Sequence, residues 1–245
     1  MSKNFELLQR AQREQEALAR PRSRDGAAPL ASRPAPFTSE EAIRLVQRLF
    51  LVPGPDAPRV VVFAGVDPGD GCSTVCVRVA ETLTSDVGLS GSSCLIDANL
   101  RSPALHRYFS LPNRMGLVDA ISQPGPVRNF AQQVDGGKLW VMPAGLHTTN
   151  VHALLTSESL QARVAELRSE FDNVLIDAPA INPYADACAL GKLSDGMILV
   201  LQSNATRRES ARKAKEMIEL AQVRLLGAVL NKRTFPIPAG IYGKL

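Results

Sequence analysis

The chain has 245 residues, of which 45% are apolar and 21% are charged. These fractions are close to the averages of soluble globular domains, and they exclude a disordered, collagen-like or coiled-coil protein. Aromatic residues make up only 5% of the chain, which argues against a stacking surface for single-stranded nucleic acid. The net charge of +4 is compatible with binding to phosphates, anionic lipid or nucleic acid, and does not choose among them.

The sequence predicts a cytoplasmic location. The longest apolar stretches, residues 60–66 and 197–201, are far shorter than the roughly 20 residues that cross a bilayer. The first residues contain no apolar signal core. The four cysteines include no Cys-x-x-Cys pair, which favours reduced thiols over a redox motif or a metal site.

The chain divides into an arm and one domain. Residues 4–19 have a thin apolar stripe at helical spacing and predict a short amphipathic helix. The following stretch, up to residue 37, is rich in Arg, Pro, Ala and Ser and predicts a linker. Residues 38–245 then form a single domain, while the arm is either a solvated tail or a docking helix for a partner or an anionic membrane.

From Thr38 onward, helices and short apolar strands alternate. Thr38 and Glu41 supply helix-capping chemistry, and apolar residues at helical spacing follow them. The predicted strands are residues 59–64, 93–97, 139–143, 173–177, 196–201 and 225–230, and the main helical segments are 73–84, 152–171 and 206–222. Continuous apolar strands between helices indicate an α/β fold, with a parallel sheet covered by helices on both faces.

A glycine-rich turn between the first strand and the next helix predicts a phosphate-binding loop. Backbone N–H groups and a helix N-terminus meet at such a turn, and the hydroxyl of Ser73 is placed to reach magnesium. Cys72 stands where the loop's lysine is expected, and Val66 stands where its first glycine is expected. By itself the pattern also fits a plain strand–turn–helix junction. The candidate nucleotide-binding residues are Pro68, Gly69, Asp70, Gly71, Cys72, Ser73 and Thr74.

Acidic and amide side chains end two further strands. Asp97 and Asn99 follow one apolar strand, and Asp177 ends another. Open parallel sheets bind ligands at the carboxyl ends of their strands, so these residues converge on the glycine-rich loop. Acidic groups beside a phosphate site hold a metal ion or its waters. We therefore predict that Ser73, Asp97, Asn99 and Asp177 surround magnesium.

Taken together, these ordered segments resemble the bacterial tyrosine kinases (BY-kinases), the cytoplasmic P-loop partners of polysaccharide co-polymerases and part of the deviant-Walker ATPase group. The resemblance runs from about residue 39 to residue 231. Beyond the loop, it includes residues 95–103, 105–109, 113–119, 139–145, 152–157, 171–179 and 195–200. The phosphate loop alone is not specific, but the ordered set is.

The resemblance implies a set of functional expectations. It implies ATP bound with magnesium, Asp97 near the metal and the reacting hydroxyl, and Asp177 as the Walker B acid. It also implies autophosphorylation on a C-terminal tyrosine cluster and control of exopolysaccharide chain length and export. The partner would be a membrane polysaccharide co-polymerase or export component, which would bring the chain to the inner membrane as a peripheral protein.

Two departures from the family pattern concern the phosphate site. Cys72 replaces the lysine, and a charge-assisted hydrogen bond of that kind contributes about ten- to 150-fold in affinity. Losing a donor aimed at transition-state charge costs about another hundred- to thousandfold in rate. Asn99 replaces the second carboxylate, which weakens magnesium binding more mildly.

Two further departures concern phosphorylation and assembly. Tyr242 stands alone in the tail where the family has a tyrosine cluster, and Tyr108 and Tyr184 lie inside domain motifs. The family's subunit-contact helix reads Glu-x-x-Arg-x-x-Arg. Here Glu41 and Arg44 are followed by Gln47, so homo-oligomerisation through this helix competes with a simple surface ion pair.

The leading hypothesis is a catalytically impaired BY-kinase-like protein that acts as a regulatory or scaffolding subunit. One alternative is an active ATP-dependent tyrosine autokinase or ATPase that uses another cation. A second alternative is a DNA- or membrane-associated positioning protein that uses the five basic residues within 207–215. Partitioning ATPases carry a lysine where this chain has Asp67, so no nucleic acid partner is expected.

Overall fold

The computed structural model describes residues 37–51, 57–85, 91–134, 137–146 and 150–233. The predicted N-terminal helix and linker, and the tail that contains Tyr242, lie outside the described residues. In the described part of the chain, no helix is long and apolar enough to cross a membrane.

The predicted helical segments are present, one of them divided in two, and three short helices that were not predicted lie between them. The helices of the described residues are α1 (Ser39–Leu49), α2 (Cys72–Thr84), α3 (Leu105–Tyr108), α4 (Leu117–Ser122), α5 (Val151–Leu155), α6 (Glu158–Glu170), α7 (Asp186–Gly191) and α8 (Arg208–Leu220), with a 3-10 turn at Val127–Phe130. The single helical segment predicted at 152–171 is two helices, because Ser157 is extended and its side chain accepts a hydrogen bond from the Leu160 N–H as the N-cap of α6.

In the described part of the chain, seven strands form one mostly parallel sheet. They are β1 (Val60–Gly65), β2 (Ser93–Asp97), β3 (Gln132–Gln133), β4 (Leu139–Met142), β5 (Asn173–Ala178), β6 (Gly196–Gln202) and β7 (Leu225–Asn231). Their order is β3-β4-β2-β5-β1-β6-β7, and only β3 is antiparallel to its neighbour. The edge strand β3 was not predicted, because its two residues are polar and carry no apolar signal.

Helices cover both faces of the sheet, so the predicted α/β architecture is confirmed. Alternate residues of β1 enter two separate cores: Val61 and Phe63 pack with α1, α2 and α3, while Val60, Val62 and Ala64 pack with the later helices. Every residue of β1, β2 and β5 is buried. Because these three central strands are parallel, their carboxyl ends meet at one edge of the sheet. The candidate functional site lies at that edge.

The start of α1 matches its sequence signal. The Thr38 side chain accepts a hydrogen bond from the Glu41 N–H, and the Glu41 carboxylate accepts one from the Thr38 N–H at 2.9 Å. This capping box commits Glu41 to its own helix. Arg44 is strongly exposed and lies 3.8 Å from Glu40.

Candidate functional site

The phosphate loop joins β1 to α2 and depends on two glycines with positive φ. Gly69 has φ +92° and Gly71 has φ +84°, conformations that L side chains rarely adopt. A Cβ at Gly71 would lie 2.4 Å from the side-chain nitrogen of Asn231, whereas a Cβ at Gly69 would meet nothing within 4 Å. Gly71 is thus required by close packing as well as by conformation, and the surface above Gly69 is open.

Side chains from distant strands hold the loop in place. The Asp70 carboxylate accepts hydrogen bonds from the Asp67 N–H at 2.9 Å and the Thr206 hydroxyl at 3.0 Å. Asn231 donates its side-chain amide to the Asp70 carbonyl at 2.9 Å, and the Lys232 ammonium donates to the Gly69 carbonyl at 2.6 Å. These contacts between protein groups hold the loop in shape.

A cavity of about 390 Å³ opens above the loop. It brings together the seven candidate nucleotide-binding residues, Pro68 through Thr74, and Asn99. Residues not chosen as site residues also line it, among them Arg101, Ser102, Tyr108 and Tyr184. The Tyr108 hydroxyl lies 2.6 Å from the Thr74 hydroxyl, so Tyr108 forms part of the cavity wall.

Asp97 and Asp177 lie beneath the cavity and do not line it. They are register partners on β2 and β5, and both are fully buried. One oxygen of Asp97 accepts backbone N–H groups from Ala104 and Leu105 at 2.8 and 2.9 Å, which fixes the start of α3. The sequence analysis missed this structural role, because the two donors come from a loop seven and eight residues further on.

Burial dominates the electrostatics of this pair. Burial and the nearby Asp97 charge raise the pKa of Asp177 to about 7, although the Ser73 and Cys72 side chains act in the opposite direction. Burial also raises the pKa of Asp97, against the effect of its backbone donors. The Ser73 hydroxyl and the Cys72 thiol stabilise the charge of Asp177 from close by, but among the described residues no hydrogen bond of ordinary geometry reaches either of its carboxylate oxygens. An unpaired buried carboxylate beside Ser73 is a site that a cation would satisfy.

Cys72 places a neutral group where a phosphate loop has its lysine. Burial, together with the negative charges of Asp177 and Asp70, raises the pKa of its thiol well above the usual range. The thiol therefore stays protonated near neutral pH and brings no positive charge to the loop. The folded site therefore lacks, at position 72, the positive charge whose absence the sequence indicated.

Among the described residues that line the cavity, one is basic, Arg101. Its Nε donates to Asp186 at 2.7 Å, and its guanidinium carbon lies 4.0 Å from the centre of the Tyr184 ring. The sequence signal was its position two residues after Asn99, at the carboxyl end of β2. Asp186 could not be linked to it from the sequence, since the two residues are 85 positions apart.

The residues present fit a magnesium-bound phosphate ligand. Among the described residues, no group of three or more His, Cys, Asp or Glu could hold a metal by itself. Magnesium at phosphate sites needs only one or two protein oxygens, because waters and substrate phosphates complete its shell. The Ser73 hydroxyl and the buried, unpaired Asp177 carboxylate provide such oxygens, with Asn99 at the cavity wall.

A larger cavity of about 540 Å³ lies elsewhere, between α5, α6, α7 and α8. Its lining is mainly apolar and includes no residue of the phosphate loop. Phosphate recognition requires backbone N–H groups and positive charge. We therefore assign the candidate functional site to the smaller cavity.

The fold and the loop define a domain of the P-loop NTPase-like α/β class. No protein-family model matches the chain. The tyrosine-protein kinase YwqD of Bacillus subtilis is 33% identical over 171 residues, which cover 70% of this chain and 71% of YwqD. The tyrosine-protein kinase CpsD of Streptococcus agalactiae is 28% identical over 191 residues, covering 76% of this chain and 82% of CpsD. The chain belongs to the bacterial tyrosine kinase family.

Solved structures agree with that family. The BceF tyrosine kinase domain superposes with a TM-score of 0.68 at 28% identity, covering 79% of this chain and 76% of BceF. The chimerical protein CapA2B2 superposes with a TM-score of 0.74 at 24% identity, and the match covers 86% of this chain and 88% of the CapA2B2 chain. A plasmid partition protein from Borrelia burgdorferi, at 16% identity and a TM-score of 0.56, shares the fold alone.

Proposed function

We propose that the chain binds an adenine nucleotide with magnesium at the cavity above the phosphate loop, and that phosphoryl transfer there is impaired. In this proposal it acts as a regulatory or scaffolding member of the bacterial tyrosine kinase family in exopolysaccharide or capsule synthesis and export. One observation carries the proposal: a preformed phosphate loop has neutral Cys72 in the lysine position.

The geometry supports nucleotide binding in three ways. The loop is held in shape by Thr206, Asn231 and Lys232, so little order has to be gained when a phosphate binds. The N-terminus of α2 points its free N–H groups at the cavity, as anion sites do. Beneath them, the unpaired carboxylate of Asp177 is available to magnesium or to its waters.

The chemistry of the same site supports slow transfer. The lysine of a phosphate loop stabilises the charge that develops on the transferred phosphoryl group. A protonated thiol is a weak donor without charge, so Cys72 cannot supply that stabilisation. Asp97 would act near the reacting hydroxyl, and Asp177 would hold the metal shell. Neither acid replaces the positive charge that the lysine would provide, so transfer is slow.

The relatives support a membrane partner. The succinoglycan biosynthesis transport protein ExoP of Rhizobium meliloti is 30% identical over 182 residues, which cover 71% of this chain but only 22% of ExoP. We propose that a separate polysaccharide co-polymerase or export component binds this chain and brings it to the inner membrane from the cytoplasm. Self-association through α1 would use the exposed Arg44, since Glu41 is engaged in the capping box.

The basic segment of α8 gives little support to a DNA-binding function. Arg212 pairs with Glu216 at 2.9 Å and Lys215 pairs with Glu219 at 3.0 Å, so part of the positive charge is offset on the helix itself. We propose no nucleic acid partner.

Two measurements on the purified full chain test the proposed function. Calorimetric titration with ADP and magnesium should detect binding, and labelled ATP should show slow transfer of the terminal phosphate. Cys72→Lys should raise ADP affinity about ten- to 150-fold and the transfer rate about a hundred- to a thousandfold. Cys72→Met, of similar size but without charge, is the matched control and should raise neither.

Two outcomes would contradict the proposal. Wild-type transfer as fast as that of Cys72→Lys would remove the impairment. Absence of any ADP binding at millimolar concentration would remove the nucleotide site. In cells, loss of the gene should change the chain length of the exported polysaccharide, measured by size-exclusion chromatography. Complementation with the wild-type chain should restore it.

A further inference from the structure

We infer that Arg101 supplies the positive charge that receives the nucleotide's phosphates in this chain, in place of the lysine that Cys72 replaces. The inference rests on the proposed nucleotide site, and it names the residue that supplies positive charge to the phosphates there. It assigns Arg101 as a phosphate-binding residue, acting within its own chain.

The position of Arg101 is the first argument. Among the described residues that line the cavity above the phosphate loop, Arg101 is the one with a positive charge. The acidic lining residues Asp67 and Asp70 are already engaged with Asn182 and Thr206. A bound nucleotide would bring several negative charges next to the buried Asp97 and Asp177, so a cation facing the cavity is needed to offset them.

The free donors of Arg101 are the second argument. A guanidinium carries five N–H donors in a fixed fork, and the hydrogen bond to Asp186 uses only the one on Nε. Within the described part of the chain, neither Nη atom donates a hydrogen bond to the protein. The side chain is 33% exposed, so these donors remain accessible from the cavity. A fork of free N–H groups is the arrangement that suits phosphate oxygens.

The rigid mounting of Arg101 is the third argument. Asp186 is almost fully buried at the start of α7 and holds Nε at 2.7 Å, and Tyr184 stacks against the guanidinium at 4.0 Å. Two of the contacts that usually restrain a binding arginine are therefore made before any ligand arrives. Such a side chain loses little conformational freedom on binding, which favours affinity.

Lys232 is the other cation at the loop, but its ammonium is already used. It donates to the Gly69 carbonyl at 2.6 Å and lies 3.3 Å from the Gln202 side-chain oxygen. Lys232 also does not line the cavity. Its contacts therefore position the loop from outside the cavity.

The test compares nucleotide affinities of purified variants by calorimetry with magnesium present. Arg101→Gln should weaken ADP binding about ten- to 150-fold, and should weaken AMP binding less because AMP carries fewer negative charges. Arg101→Lys should recover part of the loss. In the Cys72→Lys background, Arg101→Gln should cost less than tenfold, because the restored lysine shares the same charge.

Two further variants complete the comparison. Arg107→Gln changes an exposed arginine of the same segment that donates to the Pro103 carbonyl, and should leave ADP affinity within about twofold. Arg101→Gln combined with Asp186→Asn replaces the ion pair by a neutral pair. If Arg101→Gln alone does not fold, this double variant, checked by thermal unfolding, takes its place.

The inference is overturned if Arg101→Gln leaves ADP affinity within twofold, or weakens ADP and AMP equally. It is also overturned if Lys232→Gln, and not Arg101→Gln, selectively weakens ADP over AMP. These outcomes leave the proposed nucleotide site standing, since the wild type still binds ADP. A wild-type chain that binds no ADP contradicts the proposed function instead, and the two failures are therefore distinct.

Discussion

Asp97 and Asp177 are paired across neighbouring parallel strands, directly beneath the phosphate loop. Both are fully buried, yet their carboxylates are bound differently: one oxygen of Asp97 accepts two backbone N–H groups, whereas no hydrogen bond of ordinary geometry from the described residues reaches either oxygen of Asp177. Asp97 is thus tied into the fold, whereas Asp177 keeps its coordination capacity free. This difference separates the roles of two acids that look equivalent in the sequence.

The free carboxylate of Asp177 leads to a prediction about magnesium. Asp177→Asn should remove most of the magnesium dependence of ADP binding, because an amide offers no negative charge to the metal or its waters. The same change relieves a buried unpaired carboxylate, so the free energy of unfolding at pH 8 should stay equal or rise. Titration of ADP with and without magnesium, together with urea unfolding, measures both effects.

Asn99 provides the comparison for that prediction. It also lines the cavity, and its side-chain oxygen accepts the Ser102 N–H at 3.3 Å. Asn99→Asp should strengthen the magnesium dependence, by restoring a second carboxylate. Unchanged magnesium dependence in Asp177→Asn would rule out Asp177 as the metal-side acid.

The two loop glycines give a matched pair of stability predictions. Gly71→Ala should destabilise the fold by about 3 kcal/mol or more, since strain at positive φ adds to a collision with the Asn231 side chain. Gly69→Ala has the same conformational strain but open space around its Cβ, and should cost only about 1–2 kcal/mol. Urea unfolding of both variants checks the order, and equal costs would contradict the packing argument.

The contacts of Asp195, at the end of β1 away from the phosphate loop, lead to a prediction of how the free energy of unfolding depends on pH. Its carboxylate accepts the Arg59 and Val60 N–H groups at 2.8 Å each and a two-point contact from Arg168. These partners outweigh burial and lower the pKa of Asp195. A lowered pKa stabilises the fold above the unfolded-state value of about 4, and the contribution is lost as pH falls through the folded-state value.

The corresponding variant is Asp195→Asn. It should lower the free energy of unfolding by about 1–3 kcal/mol at pH 7, and the difference from wild type should shrink steadily below about pH 4. Urea unfolding from pH 3 to pH 7 measures it. Glu216→Gln, which breaks an exposed pair with Arg212, should cost less than about 1 kcal/mol across the same range. A constant Asp195→Asn effect from pH 3 to 7 would disprove the linkage.

Tyr108 lies in the cavity wall, and its place inside a domain motif predicts that it is structural and is not a phosphate acceptor. Its hydroxyl meets the Thr74 hydroxyl at 2.6 Å and its side chain is about half exposed. Tyr108→Phe should therefore change the free energy of unfolding by no more than about 1.5 kcal/mol. It should also leave the incorporation of label from ATP unchanged. Loss of label in this variant alone would identify Tyr108 as a phosphate acceptor.

Much of the fold was predictable because its signals are local. All six predicted strands are present, since each is a continuous apolar run, and the capping box at Thr38 and Glu41 marks the start of α1. The errors are also local in cause. The polar edge strand β3 has no apolar run, and the N-cap at Ser157 lies within a segment that otherwise looks uninterrupted.

The sequence by itself determined the α/β class, the place of the phosphate loop and the loss of its lysine at Cys72, because each depends on residues that are neighbours along the chain. Only the tertiary structure decided which distant residues hold the loop and the cavity's arginine in place. Arg101 meets Asp186 across 85 positions, and Lys232 meets Gly69 across 163. The physical reason is that strand order and packing, which bring such residues together, leave no trace in local spacing. The charge missing at Cys72 could therefore be seen in the sequence, whereas the contacts that hold Arg101 at the same cavity could be recognised only in the fold.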